Sequence, residues 1–578
     1  MKYTYNPKSE CAHEFINHEE ILDTLEYAQA NKDNLALCRE ILDKARAHTR
    51  IGNAEARAHT RVSAETSSAH TRAGADAIRA HTRVEKSDHP ATLTHREAAV
   101  LLACTDAQIN AEIFALAREI KQAYYGNRIV LFAPLYLSNY CVNTCAYCPY
   151  HAQNKTIPRK KLSQAEIREE TRALIAQGHK RLAIEAGEDP RHNPLEYILE
   201  SIETIYSAGV AYTAQAARAT GDSKVAQSTR AANDSQVAHN AQVAHATNPA
   251  PNTPSPHATN PAPACNPASA IRRINVNIAA TTPDAYAQLK RANIGTYILF
   301  QETYNARAYA SLHPTGPKSD YCYHTEAHDR AMSAGIDDVG LGVLFGLDTY
   351  AYELCGLIMH AEHLEAVFGT GPHTISVPRV KPADGINPEK FDGSETNNGL
   401  TDEIFEKIIA LIRLTVPYTG IIISTREGAS VRARALDCGV SQISGGSRTS
   451  VGGYVEKNAN HSTEQFQVSD NRTLDEVISW LLCTGHIPSF CTSCYANGRT
   501  GDRFMQFCKS GQIQNFCHPN ALLTLAEYAA NFATPKTRTR ALDALAHEIE
   551  RIQNPKNRSR AQAETDRILT DQPCEFYF

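Results

Sequence analysis

No apolar run in this 578-residue chain reaches the length that crosses a bilayer, so no membrane-spanning helix is expected. A positive excess is missing as well. The formal net charge of −5 leaves no electrostatic footprint for nucleic acid. The segment from Met1 to Pro7 lacks the apolar stretch of a secretion signal, and a reducing, cytoplasmic compartment is expected. In that setting 16 cysteines argue against a disulfide framework and for metal or redox chemistry. One tryptophan and four methionines exclude nothing. What remains is a chain of ordinary hydrophobic content (42%), long enough for a large core and more than one domain.

The cysteines are not scattered evenly. Cys141, Cys145 and Cys148 stand at CxxxCxxC spacing, just after the apolar run that begins at Ile129. A short loop leaving a buried strand can fold three thiolates around one iron–sulfur cluster, the centre that soft thiolate ligands select. Three ligands leave one iron of a cubane open to a small molecule. Zinc sites pair CxxC with a second pair in range, and none lies near this loop. The tail repeats the theme: Cys491 and Cys494 form a CxxC pair, and Cys517 follows. Here spacing alone leaves zinc open, with Cys508 or His518 completing a four-ligand set.

The rest divides into patterned and repetitive segments. Residues 11–46 and 91–128 carry helical apolar stripes. Between them Ala-His-Thr-Arg recurs every eleven residues from Ala47 to Ala80, and these units (47–90) carry too few large apolar residues to stack. A Pro-, Ala-, Asn- and Thr-rich segment over 214–270 repeats itself too and cannot form a core. Both are read as disordered or loosely structured insertions. With them set aside, strand patterns alternate with helix patterns, which implies parallel βαβ units and an α/β barrel over 91–450. A mostly helical C-terminal region (451–578) follows, and an N-terminal helical segment (1–46) precedes. In a barrel the ends of the strands carry the chemistry. Those ends hold Glu185-Ala-Gly187-Glu188, Gln301-Glu302-Thr-Tyr304, Gly346 and Ser424-Thr425-Arg426-Glu427.

The run from Leu131 to Cys148 resembles the cluster loop of the radical S-adenosylmethionine (SAM) enzymes, and within them the aromatic amino acid lyases. The likeness extends through Ile271–Thr282, Gly295–Tyr304, His313–Tyr321, Gly371–Arg379 and Ser441–Thr449. With the cysteine tail, the chain resembles the tyrosine lyases of FeFe-hydrogenase maturation. The two insertions depart from that pattern. The resemblance implies a TIM-type radical SAM barrel, with Cys141, Cys145 and Cys148 holding a SAM-binding 4Fe–4S cluster. It further implies that Tyr147 lies along the adenine, that Gly187 and Glu188 take the SAM amino group, and that Glu302 and Arg330 touch SAM. Arg426, with Ser424 and Thr425, would clamp the carboxylate of L-tyrosine. It turns the tail toward iron: Cys491, Cys494 and Cys517 would hold an auxiliary 4Fe–4S cluster. An extra iron there would use His360, or failing it His363, and cysteine is a possible ligand. The implied partners are other hydrogenase maturation proteins and an electron donor. The implied reaction splits tyrosine into p-cresol and dehydroglycine, which breaks down to CO and cyanide. Two alternatives stay open: a thiamine-pathway tyrosine lyase that stops at dehydroglycine, and a non-catalytic iron–sulfur carrier.

Overall fold

The computed structural model describes residues 3–47, 93–220, 270–386, 397–456, 463–496, 500–501, 507–508 and 513–570. Both repeat insertions lie, almost entirely, outside the described residues. Nine parallel strands form one sheet: β1 (Arg128–Ser138), β2 (Arg181–Ala186), β3 (Arg273–Asn277), β4 (Tyr297–Ile298), β5 (Val339–Gly342), β6 (Thr374–Ser376), β7 (Gly420–Ile423), β8 (Gln442–Ser444) and β9 (Ile487–Ser489). Strands β1 to β8 pair in sequence order, and β1 pairs with both β2 and β8, so eight strands close into the expected barrel. Closure removes the edges that an open sheet would leave unpaired.

Local chemistry sets where each element stops. The helical stretch before the barrel splits into His95–Ala103 and Ala107–Tyr125. Thr94 and Glu97 form a reciprocal capping box on the first, and the Asp106 side chain caps the second. Gly126, at φ +62°, then turns the chain into β1. The N-terminal stretch likewise splits, with Asn17 capping His18–Ala30. The outer helices bury their apolar stripes against the barrel; Phe405, Ile408, Ile409 and Ile412 of helix Asp402–Thr415 are fully buried.

Strand β9 was not expected from the sequence. Its middle residue, Pro488, cannot donate to a ladder, and β9 tolerates it because it pairs on one side only, with Arg128–Val130 of β1. After β9 the chain is helical: Gln514–Asn531, Pro535–Glu550 and Pro555–Leu569 share a second core of Leu522, Leu525, Leu545 and Ile568. Buried Glu527 ties this region to the barrel. It accepts from Arg272 at 2.6 Å and lies 3.5 Å from Lys180. No described helix is long and apolar enough to cross a membrane.

Candidate functional site

The loop that leaves β1 at Ser138 carries Cys141, Cys145 and Cys148 over the C-terminal mouth of the barrel. Neighbouring loops hold it in place. The Val142 amide donates to the Glu188 carbonyl at 2.8 Å, and the Ala146 amide to Leu312 at 2.9 Å. Asn143 Nδ2 donates to Glu188 Oε2 at 2.6 Å, while Asn143 Oδ1 accepts from the Lys318 amide at 3.0 Å. Gly187 permits the close approach: a Cβ there would stand 2.3 Å from the Tyr140 carbonyl oxygen. Tyr147 donates or accepts at His313 Nε2, 2.8 Å away.

The three thiols are free, and burial pushes Cys148 up to about 12, with Cys141 adding to the effect. Buried thiols this close need a cationic partner to become thiolates. Among the described residues no three acidic, histidine or cysteine groups are placed to hold a single metal ion. In a cubane each thiolate binds a different iron, so its three ligands stand further apart than around one ion. The donor set therefore fits the SAM-binding cluster that the fold implies.

Below the thiols lies a cavity of about 250 Å³ inside the barrel. Glu302 stands at its rim with φ +67°, a left-handed backbone that a glutamate adopts only under constraint. Its carboxylate pairs with Lys318 at 2.7 Å. Arg426 lines the wall, with its guanidinium 3.7 Å from the centre of the Phe466 ring. The adjacent Glu427 is committed elsewhere, accepting from Arg379 Nε at 3.0 Å. Ser424 and Thr425 also line the cavity. Direct register pairing places Tyr136, Glu185 and Asn277 in one inward-facing row, with Asn277 Nδ2 donating to Glu185 Oε1 at 2.7 Å. Burial, opposed by Arg426, leaves the Glu185 carboxyl well above the usual range.

The structure thus brings Cys141, Cys145, Tyr147, Cys148, Gly187, Glu188, Glu302, Ser424, Thr425 and Arg426 around one cavity. Arg330 is the exception. Its Nε donates to the Thr281 carbonyl at 3.2 Å and its guanidinium covers the Tyr323 ring, outside the cavity lining. Lys318 and His313 escaped individual notice in the sequence, although both sit in the stretch His313–Tyr321. Glu185 was noticed only as part of a strand end.

The second cysteine set is at the other end of the barrel. Ser489 pairs with Val130, roughly 26 Å along β1 from Ser138 at ~3.3 Å per residue. Cys491 and Cys494 follow immediately, and Cys517 lies on helix Gln514–Asn531. Arg181 Nη1 donates to the Cys491 carbonyl at 3.0 Å, and Arg128 lies in the field of Cys491, Cys494 and Cys508. His360 is not at this end. It packs between Phe15, Tyr304 and His328, with Nδ1 3.0 Å from the Tyr304 hydroxyl. His363 is bound to Asp329 at 2.6 Å and stacked on Phe15. Both expected histidines thus contact Phe15 and residues around the barrel helix Tyr350–Phe368. The histidine beside the tail is His373, with Nε2 3.4 Å from the Tyr495 hydroxyl. Its signal was its place at the start of β6, which a linear motif does not reveal.

Comparison with known proteins follows the same division. Residues 135–353 match the model of the radical SAM superfamily, and 376–487 that of the biotin and thiamin synthesis associated domain. The chain is similar to a crystal structure of HydG, a maturase of the FeFe-hydrogenase, with 41% identity and a TM-score of 0.76 over 98% of this chain and 100% of that one. It is also similar to the HydG maturase from Carboxydothermus hydrogenoformans, with 33% identity and a TM-score of 0.64 over 92% of this chain and 99% of that one. The 2-iminoacetate synthase of Escherichia coli (strain K12) is 25% identical over 70% of this chain and 89% of its own.

Proposed function

From the premise that this chain belongs to the HydG family of radical SAM lyases, we propose that it cleaves L-tyrosine between Cα and Cβ to p-cresol and dehydroglycine, and that the latter yields CO and cyanide for hydrogenase maturation. The observation that carries the reading is one cavity with three free thiols at its mouth and the Arg426 guanidinium, which forms no salt bridge among the described residues, on its wall. A 4Fe–4S cluster held by Cys141, Cys145 and Cys148, with SAM at its open iron, would supply a 5′-deoxyadenosyl radical.

The chain's own residues do the rest. Glu188, fixed by Asn143, would accept the SAM ammonium, and Gly187 lets the two loops approach closely. Tyr147, steadied by His313, offers a flat face for the adenine. Arg426 presents two parallel donors to the substrate carboxylate, with the Ser424 and Thr425 hydroxyls beside it. Barrel walls of Phe132, Pro134, Ile298, Phe300 and Ile422 exclude water from a primary radical. Arg330 drops out of the SAM contacts and Lys318 enters them, because it is Lys318 that pairs with Glu302 at the rim.

At the far end, Cys491, Cys494 and Cys517 would hold the second cluster, and His373 replaces His360 as the histidine for an extra iron. Cysteine as a ligand there, an electron donor and other maturation proteins complete the proposal. The test is anaerobic incubation of the reconstituted enzyme with SAM, dithionite and tyrosine. Release of p-cresol with cyanide supports the full reading. Release of p-cresol without cyanide or CO supports a 2-iminoacetate synthase instead, and no deoxyadenosine at all supports a carrier.

A further inference from the structure

Three carboxylates line the upper cavity, and two of them already have tasks. Glu302 is paired with Lys318, and Glu188 is tied by Asn143 to the cysteine loop. Glu185, the third, forms no salt bridge among the described residues. It sits at the end of β2, in register with Tyr136 on β1 and Asn277 on β3. Tyr136 turns its hydroxyl elsewhere, donating to Gln465 Oε1 at 2.8 Å. Among the described residues Asn277 is the one hydrogen-bond partner of the Glu185 side chain, with Nδ2 2.7 Å from Oε1.

Asn277 adds a second signal. Its Oδ1 is buried without a partner, so no bond at that atom resists turning the amide over. Turned over, Oδ1 faces Glu185 in place of Nδ2. A carboxylate cannot bond it, whereas a protonated carboxyl donates to it. The pair therefore accommodates Glu185 with or without its proton, at the cost of one side-chain torsion. Enclosure favours the protonated form: the cavity is walled by Phe132, Pro134 and Ile298, and burial there outweighs the opposing field of Arg426.

The cleavage leaves a need that this carboxyl meets. Parting Cα from Cβ by a radical route leaves the phenol half as a benzylic CH2 group, one hydrogen short of p-cresol. One electron and one proton complete it: HO–C6H4–CH2• + e− + H+ gives HO–C6H4–CH3. With the substrate carboxylate on Arg426, Cβ is only two bonds from the clamped carbon. Glu185 lies in the field of the same guanidinium, at that end of the substrate.

We propose that Glu185 is the acid that completes p-cresol, passing its proton to the benzylic carbon, with Asn277 as its hydrogen-bond partner before and after the transfer. The O–H bond of Glu185 breaks and a C–H bond forms on the methyl carbon. The electron comes from the one-electron donor that serves the enzyme. The carboxylate left behind is reprotonated from solvent when the cavity empties. The inference rests on the lyase reading, and it gives a role to a cavity carboxyl that binding of SAM and tyrosine leaves unused.

The test compares full-length, reconstituted wild type, Glu185→Gln and Glu185→Asp at equal iron content, with SAM, tyrosine and dithionite. The readout is p-cresol formed per deoxyadenosine, which separates completion of the product from generation of the radical. Glu185→Gln keeps the shape and the bond to Asn277 but carries no acid. Its ratio is expected to fall at least about tenfold, and a benzylic radical from tyrosine labelled with 13C at Cβ to build up in freeze-quenched electron paramagnetic resonance spectra. Glu185→Asp keeps an acid, set back by one methylene, and recovers part of the ratio. In the wild type the ratio falls as pH rises, because deprotonation removes the acid; in Glu185→Gln it is low and flat. Turnover in D2O places one deuterium in the methyl group of wild-type p-cresol. An equal ratio in wild type and Glu185→Gln, a wild-type ratio that ignores pH, or p-cresol without deuterium overturns the role. Should Glu185→Gln lose its clusters, the wild-type pH profile and deuterium content still decide. A wild type that forms no p-cresol faults the lyase reading, whereas p-cresol from both proteins at the same ratio faults Glu185 alone.

Discussion

The two ends of the barrel differ in the charged groups set among their thiols. The C-terminal mouth sets carboxylates among its thiols: Glu185, Glu188 and Glu302 all line the cavity, against Lys318 and Arg426. The N-terminal floor sets guanidiniums among its thiols: Arg128, Arg181 and Arg273, against Asp338. A mouth rich in acids suits a cationic sulfonium with a free ammonium group. One barrel thus presents two electrostatic environments, separated by its own length, and each cysteine set lies in a different one.

Breaking the mouth should stop everything. Cys148→Ser is expected to abolish deoxyadenosine, p-cresol and cyanide together and to remove about four irons per chain, read by iron assay and product analysis. Next in size, Arg426→Leu should raise the KM for tyrosine about ten- to a hundredfold, with Arg426→Lys recovering little because the paired donors are lost. SAM binding, measured without tyrosine, should not move. Gly187→Ala forces a Cβ to within 2.3 Å of the Tyr140 carbonyl and 3.0 Å of the Cys141 Cβ. It should cost about 1–3 kcal/mol of stability in chemical denaturation and weaken retention of the first cluster.

The smallest expected effect lies outside both cysteine sets. Burial alone would raise the Glu527 carboxyl, but Arg272 and Lys180 outweigh it and hold the group below its usual range. A carboxyl depressed on folding adds stability above its unfolded value, about 4.3, and that stability is lost as pH falls through the lower folded value. Thermal melting of the wild type should therefore drop more steeply below about pH 4 than that of Glu527→Gln, which is less stable at neutral pH.

The mouth was far more legible in the sequence than the floor, for a physical reason. Cys141, Cys145, Cys148 and Tyr147 come from one loop, so their relation is local and fixed by spacing. Gly187, Glu188, Glu302 and Arg426 were found because strand ends in a parallel barrel converge on one face. The floor is assembled from strand beginnings, where Arg128, Arg181 and Arg273 each look like a solvated charge next to an apolar run. Only closure of the barrel and the pairing of β9 with β1 bring them to Cys491. The same blindness explains His360: a histidine on an apolar helix gives no sign of which end it faces, and helix Tyr350–Phe368 packs it toward Phe15. Nor does the sequence show that the Arg330 guanidinium donates to the carbonyls of Thr281 and Tyr323.

The division of labour between the two ends can be tested in a single preparation. Replace Cys491 and Cys494 by serine, reconstitute anaerobically, and measure iron, p-cresol and cyanide against the wild type. The account predicts that iron falls by about four atoms per chain, p-cresol formation continues, and cyanide disappears. Iron that stays at about four in both proteins, or cyanide that persists in the variant, would contradict it.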